Sequence, residues 1–82
     1  MQNTLNKRFG ERARAYRMSL GVSLLDLERE HGLNNRTISA MELGTRRWNL
    51  DQIEVYCAAL GVEPWRLLKW DEPLPEAPPK NE

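Results

Sequence analysis

Four glycines cut this chain into short segments, and each stands where a stretch of helically spaced apolar residues runs out: Gly21, Gly32, Gly44 and Gly61. Glycine is enriched just past a helix C-terminus, where its backbone closes the last turn at no steric cost. A few residues after each of them comes a residue suited to start a new helix: Ser23, Asn34, Asn49 and Pro64. Ser and Asn side chains accept from the unpaired N–H groups of a first helical turn, and Pro at the first helical position gives up an N–H that has no partner there. A chain punctuated in this way cannot form one long helix. It must pack several short ones around a single core.

The apolar spacing agrees. Thr4 caps a first helix with Leu5, Phe9, Ala13, Tyr16 and Leu20 at helical intervals and Lys7, Arg8, Arg12 and Arg14 on an outward face. Ser23 with Asp26 three residues later is a capping-box-like start to a two-turn helix through Leu27. Asn34 caps a third helix in which Ile38 and Met41 share a face. Asn49 opens a fourth, with Leu50, Ile53, Tyr56, Cys57 and Leu60, and Glu63 and Pro64 open a fifth, with Trp65, Leu67 and Leu68. β-Branched residues are few and no apolar run has a period of two, so strands are poorly supported. Residues 71–82 contain four prolines and no apolar periodicity. The expected architecture is an all-α, compact five-helix domain over residues 1–70, followed by a Pro-rich acidic tail over 71–82 that is extended and largely disordered.

Twelve basic residues balance twelve acidic ones, but the balance is uneven along the chain. Residues 1–50 carry nine basic against five acidic side chains, a net of +4, and residues 51–82 carry three against seven, a net of −4. A basic half of this kind is expected to face a polyanion, with the acidic fourth and fifth helices and tail pointing away. The length of 82 residues allows one marginal core, which oligomerisation would support. No apolar run approaches the roughly 18 residues of a membrane span, so a cytoplasmic protein with no membrane partner is expected. His31 and Cys57 are solitary, and there is no Gly-rich phosphate loop. The expectation is therefore no enzyme, no cofactor and no metal, with His31 favouring a helix C-terminus and Cys57 acting as a small core residue.

Two short helices joined by Gly32, Leu33 and the cap Asn34 are the outline of a helix-turn-helix. The frame around them consists of Arg17, Gly21, residues 23–32, residues 33–44 and residues 50–62, with Leu27, Gly32, Ile38, Glu42, Gly44 and the Leu60, Gly61, Val62 turn as its most specific positions. This frame resembles the Cro/C1-type, XRE-like helix-turn-helix DNA-binding family over residues 5–68. Three positions depart from the family pattern. Leu24 stands where Gln is usual, Glu28 where Ala is favoured, so that its side chain must bend outward or tilt the packing, and Ala40 where a long polar residue is common.

The resemblance implies a lambda-repressor-like domain whose recognition helix, around residues 35–43, lies in the major groove. On that basis Asn34, Asn35, Arg36, Thr37 and Ala40 are expected to contact bases, since Asn suits adenine, Arg suits guanine, and Ala or a Thr methyl suits the thymine methyl. Outside the frame, the same Asn-Asn-Arg-Thr run would be a helix cap and a solvated face. Ser23, Arg17, Arg46, Arg47 and Trp48 are expected at phosphates. Arg17 and Glu42 are expected to form a structural ion pair, and Trp65, Leu67 and Trp70 a dimer interface. The implied function is a sequence-specific transcriptional regulator, a repressor or controller, that binds a palindromic operator in double-stranded DNA as a homodimer. The alternative is a module of the same fold that binds a protein partner, such as an antitoxin or adaptor.

Overall fold

A computed structural model describes residues 4–68; Trp70 and the tail expected over residues 71–82 lie outside the described residues. Five helices follow one another: α1 (Leu5–Ser19), α2 (Leu24–His31), α3 (Asn35–Leu43), α4 (Leu50–Leu60) and α5 (Pro64–Leu68). No strand occurs among the described residues. No described helix is long and apolar enough to cross a membrane.

Every expected cap forms. Thr4 Oγ1 accepts from the Lys7 N–H at 3.1 Å, and Asn34 Oδ1 accepts from the Thr37 N–H at 3.0 Å. Ser23 and Asp26 exchange two bonds of 2.9 Å, and the backbone N–H and hydroxyl of Ser23 hold the Asp26 carboxyl below its ordinary range. Asn49 and Gln52 exchange bonds of 2.8 and 3.2 Å. Such caps satisfy N–H groups that a helix cannot pair internally, and each stabilises the fold by about 1 kcal/mol. At its other end α3 stops at Gly44, whose φ of +84° is left-handed and where a Cβ would lie 3.2 Å from Lys7 Cγ.

α1 packs against both α3 and α5, α2 against α3, and α4 against α5. Every helix contributes to the core, from Phe9, Ala13 and Tyr16 on α1 to Leu27, Ile38, Met41, Tyr56, Cys57, Leu60 and Leu67 on the others. The approach of α1 to α3 depends on Gly10, because a Cβ there would lie 2.5 Å from the Met41 carbonyl oxygen and 2.7 Å from that of Glu42. A glycine inside a helix weakens it by roughly 1 kcal/mol relative to alanine, so its place here reflects the close contact.

The core departs from the sequence expectation at particular residues. Leu5 and Leu50, expected on buried faces, are 63% and 82% exposed, and each is the first residue of its helix. Leu67, expected at a dimer interface, is fully buried against the core and cannot serve there. Arg12, expected on an outward face, turns to α5, where Nε donates to the Leu67 carbonyl at 2.8 Å and Nη2 to that of Arg66 at 3.0 Å. These carbonyls belong to the last described turn of α5, where a cation is favoured by the helix dipole.

Candidate nucleic-acid interface

The interface is built on α3, which is held from behind. Arg17 on α1 pairs with Glu42 in a two-point contact, Nε to Oε2 at 2.8 Å and Nη2 to Oε1 at 2.9 Å, while Nη1 donates to the Val22 carbonyl at 2.7 Å. Tyr56 on α4 donates its hydroxyl proton to Glu42 Oε2 at 2.6 Å, with the Ala13 carbonyl 3.1 Å from the same hydroxyl. Two helices, α1 and α4, thus reach one carboxylate on α3 that is only 3% exposed. The hydrogen bond to Glu42 raises the Arg17 pKa against the opposing effect of burial. Burial and then the carboxylate hold the Tyr56 hydroxyl well above its ordinary 10.0. Buried side-chain nitrogen and oxygen atoms without a partner are absent among the described residues, which a buried charge pair requires if it is not to destabilise the fold. The ion pair expected from sequence therefore forms. Arg17 is 7% exposed with each guanidinium nitrogen already donating inside the chain, so it is a packing residue and not the surface phosphate contact also expected of it.

The outward stripe of α3 runs through Arg36, Ala40 and Leu43, one helical turn apart, with Arg36 exposed, Ala40 half-buried and Leu43 61% exposed. Asn35, half-buried at the first position of the helix, donates its side-chain amide to Glu28 on α2. Glu28 bends outward, one of the two outcomes expected of a side chain larger than Ala at that position. Asn34 is exposed, but its Oδ1 is engaged in the cap. Thr37 is half-buried and lies beside the α3–α4 crevice of about 280 Å³, which Asn34, Ile38, Asp51 and Gln52 also line. Of the residues expected at bases, the fold therefore gathers Asn35, Arg36 and Ala40 on or beside one stripe and sets Thr37 to one side. Asp51 corrects the expectation that the acidic half points away, since it lies beside the start of α3.

After Gly44 the loop carrying Arg46 and Arg47 is anchored at both ends. The Thr45 and Arg46 N–H groups donate to the Ala40 carbonyl at 3.0 and 3.2 Å, tying the loop to α3. Asn6 on α1 ties it from the other side, donating Nδ2 to the Arg46 carbonyl at 3.3 Å and accepting the Trp48 N–H on Oδ1 at 2.8 Å. Arg46 and Arg47 are exposed, and among the described residues no carboxylate pairs with the side chains of Arg36, Arg46 or Arg47. Ser23 is exposed at the start of α2, where its hydroxyl oxygen serves the cap as acceptor.

Trp48 does not join these cations. Its indole N–H donates to the Met41 carbonyl at 2.9 Å, and its ring lies edge-on to Phe9 and Tyr56 with centroids 4.9 Å from each. Both of its N–H groups are engaged within the chain, which removes the phosphate contact expected of it. Asn6 and Gly10 were missed from sequence. An isolated Asn near a helix start carries no signal by itself, whereas a glycine inside an otherwise helical pattern does mark a close approach. Trp65 is 52% exposed, with the Arg66 guanidinium 5.6 Å from its ring centre. Leu68, one turn along the same face of α5, is 38% exposed and lines a groove of about 610 Å³ with Leu5, Phe9, Ile53 and Trp48, while Arg46 and Arg47 line another part of it. Among the described residues no group of three His, Cys, Asp or Glu side chains could hold a metal ion. The Cys57 thiol is fully buried, and desolvation pushes its pKa up to about 11.

Comparison with known proteins gives one curated relative. The chain is 41% identical over 69 residues, 83% of its own length and 85% of the relative's, to Control protein C.BamHI of Bacillus amyloliquefaciens. No protein-family model matches the chain. No solved structure matches it.

Proposed function

The chain belongs to the family of Control protein C.BamHI, and on that premise we propose that it is a sequence-specific, DNA-binding transcriptional regulator of the Cro/C1 helix-turn-helix type, α2 and α3 being the motif. The observation that carries this reading is the pairing of a braced helix with free cations. α3 is held by the Arg17, Glu42 and Tyr56 cluster, and its exposed Arg36 and the adjacent Arg46 and Arg47 have no acidic partners among the described residues. Unpaired cations at both ends of a rigid helix fit a surface made for phosphates and base edges.

In this reading α3 enters the major groove, Asn35, Arg36 and Ala40 meet base edges, and Asn34 and Thr37 flank them. Ser23, Arg46 and Arg47 contact phosphates. Two copies associate through the α5 face that carries Trp65 and Leu68, with Leu68 taking the place expected of the buried Leu67. A two-fold pair sets its recognition helices about 34 Å apart, one turn of DNA, and selects a palindromic site. The regulator acts as a repressor or controller of the operon it binds.

Selection of bound duplexes from a random pool tests this directly. The expected result is an enriched palindrome whose half-sites lie one helical turn apart, together with a dimer mass by light scattering at micromolar concentration. A pool with no enrichment, and no mobility shift at low salt, overturns the reading as a DNA-binding regulator. An enriched site bound by a strict monomer overturns only the dimer.

A further inference from the structure

Glu28 and Asn35 face each other across the turn between α2 and α3, the Asn35 amide Nδ2 donating to Glu28 Oε1. From this contact we infer that Glu28 is a specificity-determining positioning residue, which fixes the orientation of the Asn35 side chain so that its base position accepts adenine and rejects guanine. The inference rests on the reading of α3 as the recognition helix.

The argument follows from the chemistry of the two groups. An ionised carboxylate only accepts hydrogen bonds, so only the NH₂ end of the asparagine amide can turn toward it. A free Asn amide can rotate by half a turn and exchange its donor and acceptor ends. Beside Glu28 that exchange would set Oδ1 against a carboxylate oxygen, and it is excluded. With one N–H on Glu28, Asn35 still offers one N–H and Oδ1 in a single fixed arrangement. Adenine presents an acceptor at N7 and a donor at N6, which this arrangement matches. Guanine presents two acceptors, N7 and O6, and would set O6 against the fixed Oδ1.

The neighbouring asparagine cannot take the same role, because Asn34 Oδ1 is engaged with the Thr37 N–H at the helix cap. Glu28 stands in the last turn of α2, where its carboxylate would otherwise bring a charge unfavourable to a DNA-facing surface. Its contact with Asn35 gives that charge a purpose.

The test is selection from random duplexes with wild-type protein and with Glu28→Ala, Glu28→Gln and Asn35→Ala, each checked for an unchanged unfolding midpoint. Glu28→Gln removes the charge and offers Asn35 a donor as well as an acceptor, so both amide orientations become possible again. The expected result is that Asn35→Ala erases an adenine preference at one position of each half-site. Glu28→Ala and Glu28→Gln each lower the adenine-over-guanine preference at that same position by about tenfold, and the other positions of the site do not change. Equal preferences in wild type and Glu28→Ala overturn the inference while leaving DNA binding intact. So does a preference that Glu28→Gln retains in full, and so does a change in affinity shared evenly by all positions, which would trace the effect to charge and not to orientation. A wild-type protein that enriches no site overturns both the inference and the regulator reading.

Discussion

Arg17 and Glu42 are joined by two hydrogen bonds of 2.8 and 2.9 Å between α1 and the last turn of α3, at 7% and 3% exposure. The pair locks α3 to α1, the longest of the described helices, and Tyr56 reaches the same carboxylate from α4.

A buried pair of this kind is far more sensitive to the loss of one partner than of both, because a lone buried charge keeps its desolvation cost without its counter-charge. Arg17→Met or Glu42→Leu alone should destabilise the protein by about 3 to 5 kcal/mol, and the double variant by clearly less than either. Urea unfolding of the three variants and the wild type measures the difference as a double-mutant cycle.

Gly10→Ala should destabilise the fold even though alanine is the better helix former by about 1 kcal/mol. The added Cβ would press on two backbone carbonyl oxygens at 2.5 and 2.7 Å, which cannot move without shifting α3 away from α1. Overpacking of this kind costs about 1 to 3 kcal/mol. Thermal unfolding should show a lowered midpoint, and DNA affinity should fall with it because the displaced element is the proposed reading helix.

Stability should decline on the alkaline side. Tyr56 has a folded pKa raised above its ordinary 10.0, so its contribution is complete below that value and is lost as the unfolded chain ionises above it. Cys57 acts in the same direction between 9.0 and about 11. Each group adds a slope of at most about 1.4 kcal/mol per pH unit within its window. Unfolding midpoints followed upward from about pH 8, in the ordinary thiol and phenol range, should fall more gently in Cys57→Ala from 9.0 and in Tyr56→Phe from 10.0. Unchanged slopes in both variants would remove these groups as the cause.

Arg46→Ala and Arg47→Ala should each weaken binding to all duplexes alike and lower the slope of log affinity against log salt by about 1. Arg36→Ala should instead cost about 1 to 3 kcal/mol at the preferred site and relax one base position per half-site. Trp48→Phe removes the indole N–H that serves the Met41 carbonyl and part of the ring packed against Phe9 and Tyr56, so it should lower stability and leave the salt slope unchanged. Titrations at several salt concentrations distinguish the three behaviours.

The sequence alone determined where helices start and stop, and with that the all-α, five-helix order. Caps such as Ser23 with Asp26 and Asn34 with Thr37 close within three residues, and the glycine stop at Gly44 closes on Met41, so each signal lies inside its own segment. The Arg17 and Glu42 pair was legible as well, though through the family resemblance and not through spacing. Only the tertiary structure decided which side chains meet. Arg12 reaches a carbonyl 55 positions away, and Asn6 accepts the Trp48 N–H across 42 positions. Those contacts turn Arg12 toward α5, take Trp48 away from the phosphates, bury Leu67 in place of the exposed Trp65 and require Gly10 where α1 meets α3. Local hydrogen bonds depend on neighbours in the chain and can be read from it. The choice among several apolar or cationic residues on one helix depends on the surface that another helix brings to it, and that surface exists only after the chain has folded.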